Sequence, residues 1–121
     1  SARFLLTKRE RVMPLYMYQA SYSAEATKTL VNNPQDRSGA AKVAIEANGG
    51  TMVGAWMAFG QDDIVVIADM PDDESMAGVA FAVTAAGAIT GGRTTKLLEM
   101  STAVAGMAKA KTVLETYKAP S

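Results

Sequence analysis

Two neighbouring segments of this chain are almost entirely apolar and do not alternate between apolar and polar residues. They are residues 51–59 (TMVGAWMAF) and residues 64–70 (IVVIADM), and the GQDD connection between them has the composition of a short hairpin loop. A strand of an antiparallel sheet with helices on one face normally alternates, because its other face meets water. We therefore predict a β-hairpin that needs cover on both faces.

The rest of the chain supplies the elements that would surround this hairpin. Residues 14–22 (PLYMYQASY) indicate a first strand, and Ser23 is a suitable N-cap for a following helix. Another helix opens after Pro71 with an aspartate cap and further acids in its first turn. The predicted helices cover residues 24–32, 34–47, 75–86 and 102–117, the last capped by Ser101, and a fourth strand is centred on residues 94–100, after Gly91 and Gly92.

The predicted order is β-α-β-β-α-β with an extra C-terminal helix. That order is typical of the ferredoxin-like α+β fold, a four-stranded antiparallel sheet with helices on one face. A chain of 121 residues normally forms one domain. We assign residues 1–12 to a basic N-terminal arm, residues 13–100 to the ferredoxin-like domain, and residues 101–121 to a C-terminal helix of the same domain.

The charges give no reason to expect a nucleic acid or membrane partner. Lys and Arg total 12, which equals the total of Asp and Glu. The arm holds four basic residues against one acid, but no nucleic-acid-binding motif accompanies that small patch. No window is apolar enough to span a bilayer. We expect a cytoplasmic protein.

The chain contains neither cysteine nor histidine. Without cysteine it has no disulfides and no thiolate chemistry, and without histidine it lacks the commonest general base and metal ligand. We expect no cofactor. Any chemistry would have to use carboxylates, tyrosines, Lys, Arg or Trp56.

The second apolar face of the hairpin needs a partner surface. The simplest cover is the same face of a second copy related by a two-fold axis, which predicts a homodimer through the sheet faces. The alternative is cover by the chain's own N-terminal arm and last helix.

Residues 33–50 (NPQDRSGAAKVAIEANGG), followed by residues 59–74 (FGQDDIVVIADMPDDE), resemble the GYD domain, a group within the dimeric α+β barrel superfamily. Tyr16 and Tyr18 in the first strand also match, as does the Arg-Thr-Thr opening of the fourth. Gly60 and Asp63 match the Gly and Asp of the family's motif, whereas Asp62 stands where its tyrosine is expected. The resemblance covers about residues 14–100 and implies the fold and a dimer, but no particular reaction.

The spacing of the acidic residues around the third strand favours structural roles over a metal site. They show no EF-hand spacing, and Asp69 lies a strand's length from Asp62. Acids at a turn and at a helix start are explained by turn chemistry and by the helix dipole. We expect no metal, and Asp63 is the exception that could reach a pocket.

Tyr16, Tyr18 and Tyr22 alternate along the first strand and project from one face. They could line a ligand pocket or fill the dimer interface. A buried phenol would have a raised pKa and act as a hydrogen-bond donor at neutral pH.

Arg93 could orient an anionic ligand or pair with Asp63 or Asp69. The candidate pocket residues are Tyr16, Tyr18, Trp56, Phe59, Asp63 and Arg93.

Three functions remain open at this point. The favoured one is a small homodimer that binds a small apolar or aromatic molecule, or has a structural role without catalysis. The second is a cofactor-independent monooxygenase- or isomerase-like enzyme that uses a tyrosine, Asp63 and Arg93. The third is a protein-interaction module that uses the basic arm.

Overall fold

The computed structural model describes residues 13–120, and the expected role of the basic arm lies outside them. The sheet order is β2-β3-β1-β4 and every neighbouring pair is antiparallel. This is the ferredoxin-like arrangement, so the predicted fold is confirmed. Within residues 13–120 the elements are β1 (Leu15–Tyr22), α1 (Ala24–Asn32), α2 (Ser38–Ala47), β2 (Thr51–Met57), β3 (Ile64–Asp69), α3 (Asp73–Ala85), β4 (Ile89–Leu97) and α4 (Met100–Leu114).

Two of the three predicted helix caps are present. The Ser23 side chain accepts a hydrogen bond from the backbone N–H of Ala26 at 3.0 Å. The Asp72 carboxylate accepts one from the backbone N–H of Ser75 at 2.8 Å. Each bond satisfies an N–H that the helix leaves without an internal partner. The third cap was wrong, because α4 begins at Met100 with Glu99 as its N-cap.

The fourth strand starts earlier than predicted. It begins at Ile89, includes Gly91 and Gly92, and ends at Leu97. Its register with β1 shifts between Gln19 and Ser21, and Gly91 has a positive φ of 61°. The two glycines therefore form an irregularity inside the strand, where the sequence pattern had indicated a boundary.

Two other predicted boundaries also move. Strand β2 ends at Met57, so Phe59 lies in the connection and its side chain is fully exposed. Helix α2 begins at Ser38 and not directly after Asn33, because residues 33–37 form a non-helical connection. In that connection the Asp36 carboxylate accepts a hydrogen bond from the backbone N–H of Ser38 at 2.8 Å.

The core lies on the face of the sheet that meets α2 and α3. The register pairs Tyr16 with Ala68 and Tyr18 with Val66, so these four side chains share that face. Helix α2 packs on β2, and α3 packs on β4 and on α2. The buried cluster that results is Tyr16, Ile45, Val66, Ala68, Met70, Met76 and Val79.

The other face of the sheet carries a second apolar surface, which we call the open face. Its centre is Met17 on β1, Val65 and Ile67 on β3, and Trp56 on β2, as the pairings of Met17 with Ile67 and of Trp56 with Val65 require. All four side chains remain at least partly exposed. The structure thus confirms that β2 and β3 are apolar on both faces.

Helix α4 has an exposed apolar stripe. None of its residues is buried, and Met100, Met107 and Leu114 recur at seven-residue intervals with 64–75% of their surface exposed. Residues spaced in this way lie along one stripe of a helix. None of the helices between residues 13 and 120 is both long and apolar enough to cross a membrane.

Gly50 joins α2 to β2 at a point where the backbone has no room for a side chain. A Cβ there would lie 2.5 Å from the carbonyl oxygen of Asp69 and 3.0 Å from Cγ2 of Ile45. We expect Gly50→Ala to lower the free energy of unfolding by roughly 1–3 kcal/mol, as overpacking does. Urea denaturation measures this. The control is Gly60→Ala, because a Cβ at Gly60 would meet no atom within 4 Å. Equal stability of the two variants would contradict the prediction.

Candidate ligand cavity

A cavity of about 1230 Å³ lies between the sheet and helices α1, α2 and α3. Its floor is the helix-facing side of the sheet, where Tyr16, Tyr18 and Val66 line it. Its walls are formed largely by small or aliphatic helix residues. Because a methyl group fills little space, the helices can rest on the sheet without filling the volume between them. Wall residues that illustrate this are Ala40, Ala41 and Ala44 on α2, and Ala80, Ala82 and Val83 on α3.

Asp63 is one of the few charged residues in the lining of this apolar cavity. Its Oδ2 accepts a hydrogen bond from the backbone N–H of Tyr22 at 3.2 Å. Its own backbone N–H donates to the carbonyl of Ala20 at 3.0 Å, and its carbonyl accepts from the N–H of Ala58 at 2.8 Å. These three bonds hold the end of the β2–β3 connection against β1, so the carboxylate has a defined position.

Tyr18 lines the cavity with its ring, while its hydroxyl lies over Gly92 on β4. The hydroxyl oxygen is buried, and among the described residues it has no hydrogen-bond partner. A Cβ on Gly92 would collide with the phenol oxygen. The missing side chain of Gly92 therefore makes room for the Tyr18 hydroxyl.

Tyr16 connects the cavity to a charged pair at the surface. Its hydroxyl donates a hydrogen bond to Oδ1 of Asp73, and Nζ of Lys96 donates to the same oxygen at 3.0 Å. The Lys96 ammonium also lies 5.8 Å from the centroid of the Tyr16 ring, within cation–π range.

The titration of Tyr16 follows from this environment. Burial, and next the hydrogen bond to Asp73, raise the pKa of Tyr16 to about 12. Tyr16 is therefore a hydrogen-bond donor at neutral pH and not a base. The same hydrogen bond, followed by the contact with Lys96, lowers the pKa of Asp73.

Trp56 and Phe59 do not place their rings inside the cavity. Trp56 borders it from the edge strand β2, but its pairing with Val65 directs the ring to the open face. There the ring covers Gly54, where an added Cβ would lie 2.5 Å from it. Phe59 does not line the cavity at all, because β2 has ended and the chain has turned outward.

Arg93 also lies away from the cavity. It pairs with Gln19 across β1 and β4, which places it on the open face, and its guanidinium forms an ion pair with the Asp62 carboxylate. Asp62 is only 9% exposed. The sequence predicted a bridge to Asp63 or Asp69, but the partner is Asp62. The reason is that Asp63 turns back towards Tyr22, so its neighbour is the one that meets Arg93.

The acids around β3 are thus divided among separate structural contacts. Asp62 pairs with Arg93, Asp63 holds β1, Asp72 caps α3, and Asp73 binds Tyr16 and Lys96. In the part of the chain that the structure describes, no three carboxylates come close enough to hold a metal ion.

The alanine walls were not recognised as site residues from sequence. The signal was present, since residues 75–86 (SMAGVAFAVTAA) are nearly all small or apolar. Such a composition fits a helix packed tightly on the sheet as well as a helix that forms the wall of a cavity. Only the distance between the helices and the sheet distinguishes these two arrangements.

The fold and cavity define a ferredoxin-like α+β domain with an apolar chamber on the helix side. The sequence model of the GYD domain matches residues 16–107, which is most of the chain. This protein therefore belongs to the GYD domain family. The match extends from β1 into the first half of α4.

Among solved structures, the crystal structure of MtbAldR resembles this chain with a TM-score of 0.52 and 15% sequence identity. The similarity covers 73% of this chain and 54% of the other, so this chain spans about half the length of MtbAldR. At that identity the likeness concerns the fold alone. No curated protein matches the chain.

The raised pKa of Tyr16 predicts a loss of stability in alkaline solution. The folded value is about 12 and the ordinary one 10.0, so the unfolded chain releases this proton first. This contribution to stability is complete below the unfolded pKa and is lost as the pH rises through 10 towards 12. We expect the free energy of unfolding to fall more steeply between about pH 10 and pH 12 in the wild type than in Tyr16→Phe.

Urea denaturation across this pH range measures the difference. The control is Tyr117→Phe, because Tyr117 is exposed and its loss should leave the wild-type slope intact. Parallel curves for the wild type and Tyr16→Phe would contradict the assignment.

Proposed function

We propose that this protein binds an apolar or aromatic small molecule in the cavity between its sheet and helices. The observation that carries the proposal is the cavity itself, with a volume of about 1230 Å³ and walls of tyrosine rings, alanines and valines. Sites for drug-sized ligands usually measure roughly 300–1,000 Å³ and combine apolar walls with a few polar groups. A ligand of several rings, or with a long apolar chain, suits this size.

The physical driving force is the apolar surface that a ligand would remove from water. Each wall side chain that faces the chamber lacks neighbours on that side and forfeits their dispersion energy. A ligand that fills the space restores those contacts and buries both surfaces, at about 25 cal/mol per Å² of apolar area.

Binding has more support than the catalytic alternative. That alternative needs a tyrosine, Asp63 and Arg93 around one ligand, but Arg93 lies on the open face in an ion pair with Asp62. Tyr16 holds its proton at neutral pH and already donates it to Asp73.

Filling the cavity tests the binding proposal. Ala44 lines it from α2, whereas Ala47 lies on the same helix and is exposed. We expect Ala44→Phe to weaken the binding of pyrene by at least about tenfold, or about 1.4 kcal/mol, because the new ring occupies the ligand's space. Pyrene fluorescence on titration measures the affinity.

Ala47→Phe is the control, since it adds the same ring to the same helix outside the cavity. It should retain the wild-type affinity, and thermal denaturation should show both variants folded. Unchanged binding in a folded Ala44→Phe, or no binding by the wild type, would contradict the proposal.

We further propose that the protein is a homodimer in which two open faces pack against each other. Met17, Val65, Ile67 and Trp56 form an apolar patch on the sheet, with the Arg93–Asp62 pair at its side. Patches of this kind on one side of a sheet are typical of protein interfaces. The superfamily that the sequence resembles implies the same arrangement.

Helix α4 adds a second reason to expect a partner copy. A helix of 15 residues is marginal in water on its own, and none of its residues is buried. The stripe of Met100, Met107 and Leu114 would be covered if a second subunit lay against it.

A charge in the open face tests the dimer. We expect Ile67→Lys to destabilise the dimer by at least about 3 kcal/mol, because each subunit would bury an unpaired ammonium group. Native mass spectrometry over a dilution series measures the dissociation.

The control is Val43→Lys, which places the same charge on an exposed position of α2. It should remain dimeric. A monomeric wild type would contradict the proposal, and a dimeric Ile67→Lys would show that the interface lies elsewhere.

A further inference from the structure

Asp63 offers the cavity a hydrogen-bond acceptor that the protein itself does not use. Its Oδ2 accepts from the backbone N–H of Tyr22 at 3.2 Å. Its other carboxylate oxygen, Oδ1, forms no hydrogen bond within residues 13–120. An ionised carboxylate has about four acceptor sites and no donor, so most of its capacity remains available.

No basic side chain of the described chain neutralises this carboxylate. The ion pairs within residues 13–120 join Arg93 to Asp62 and Lys96 to Asp73, and neither involves Asp63. Asp63 is partly buried beside Tyr22 and Ile64, which also line the cavity. A ligand that enters the chamber therefore removes water from an unpaired charge.

An unpaired carboxylate in the cavity lining would favour ligands that carry a hydrogen-bond donor. A ligand with an O–H or N–H group at this end replaces the lost water with a hydrogen bond to the carboxylate. A ligand without such a group leaves the charge desolvated and unpaired, which is unfavourable. The difference in affinity between two ligands therefore depends on whether one of them carries this donor group. The apolar walls contact the rest of either ligand in the same way.

We propose that Asp63 determines the specificity of the cavity by accepting a hydrogen bond from a donor group on an otherwise apolar, ring-containing ligand. The ligand class is a polycyclic phenol or aromatic amine, with its ring against the tyrosine floor and its donor at the β2–β3 connection. This inference rests on the proposed ligand-binding function and adds to it the chemistry of the ligand's polar end.

Two probes of matched shape test the inference on the unmodified protein. They are 1-hydroxypyrene and 1-methoxypyrene, because the methyl ether keeps the ring but cannot donate a hydrogen bond. We expect the hydroxyl compound to bind at least roughly tenfold more tightly, as for a hydrogen bond to a charged group. A fluorescence titration measures both affinities.

The variant Asp63→Asn then assigns the difference to this residue. Its amide oxygen can still accept the Tyr22 N–H, so the hairpin keeps its attachment, but the free acceptor towards the ligand is replaced by an N–H₂ donor. We expect the two probes to bind this variant with affinities within about a factor of two. The control is Glu46→Gln, which makes the same change from acid to amide at an exposed position of α2 outside the cavity lining and should retain the wild-type preference.

The outcomes separate the two proposals. If both probes bind the wild type equally, or if Asp63→Asn keeps the preference, the role of Asp63 is overturned while ligand binding stands. If neither probe nor pyrene binds, the proposed function fails and this inference fails with it. A parallel titration with 1-aminopyrene shows whether an amine or a hydroxyl donor is preferred, and tighter binding of either one than of the ether supports the inference.

Discussion

The alternation of side chains along β1 is the constraint on which the rest of this structure depends. β1 lies between β3 and β4, so its residues are held on both sides by antiparallel pairing. Tyr16 and Tyr18 consequently turn to the helix side and line the cavity, whereas Met17 and Gln19 turn to the open face. A shift of one residue would exchange the two sets. The cavity and the proposed dimer surface are therefore two consequences of a single register.

A cavity forms between the sheet and the helices because large and small side chains are unevenly distributed along α2 and α3. Ile45, Met76 and Val79 are buried and hold α2 and α3 against the sheet. The alanines on the same helices, such as Ala44, are too small to fill the adjacent space with protein atoms. A filled core would require larger residues at those positions. This distribution of large and small side chains explains how a small domain can have a well-packed sheet and still leave space for a ligand.

Local sequence signals predicted the helices, the strands and their order well. Contacts between residues far apart in the chain were predicted less well. Ser23 and Asp72 were identified as caps because their bonds reach only three residues along the chain. The ferredoxin-like order followed from periodicity and turn residues in the same way. Arg93 was predicted to line the pocket, but its partner depends on how the β2–β3 connection turns. That turn directs Asp63 towards the Tyr22 backbone and leaves Asp62 to pair with Arg93. Phe59 was misplaced because β2 ends two residues earlier than its apolar run.

The sequence by itself determined the fold, the family resemblance and the presence of two apolar faces on the hairpin, because each of these is encoded in residue spacing. Tertiary structure alone decided that the helix side contains a cavity, that the Tyr18 hydroxyl lies over Gly92, and that Asp63 is part of the cavity lining while its carboxylate holds Tyr22. These features depend on distances between elements far apart in the chain. Such distances are set by how side chains pack together, and the order of residues along the chain does not contain them.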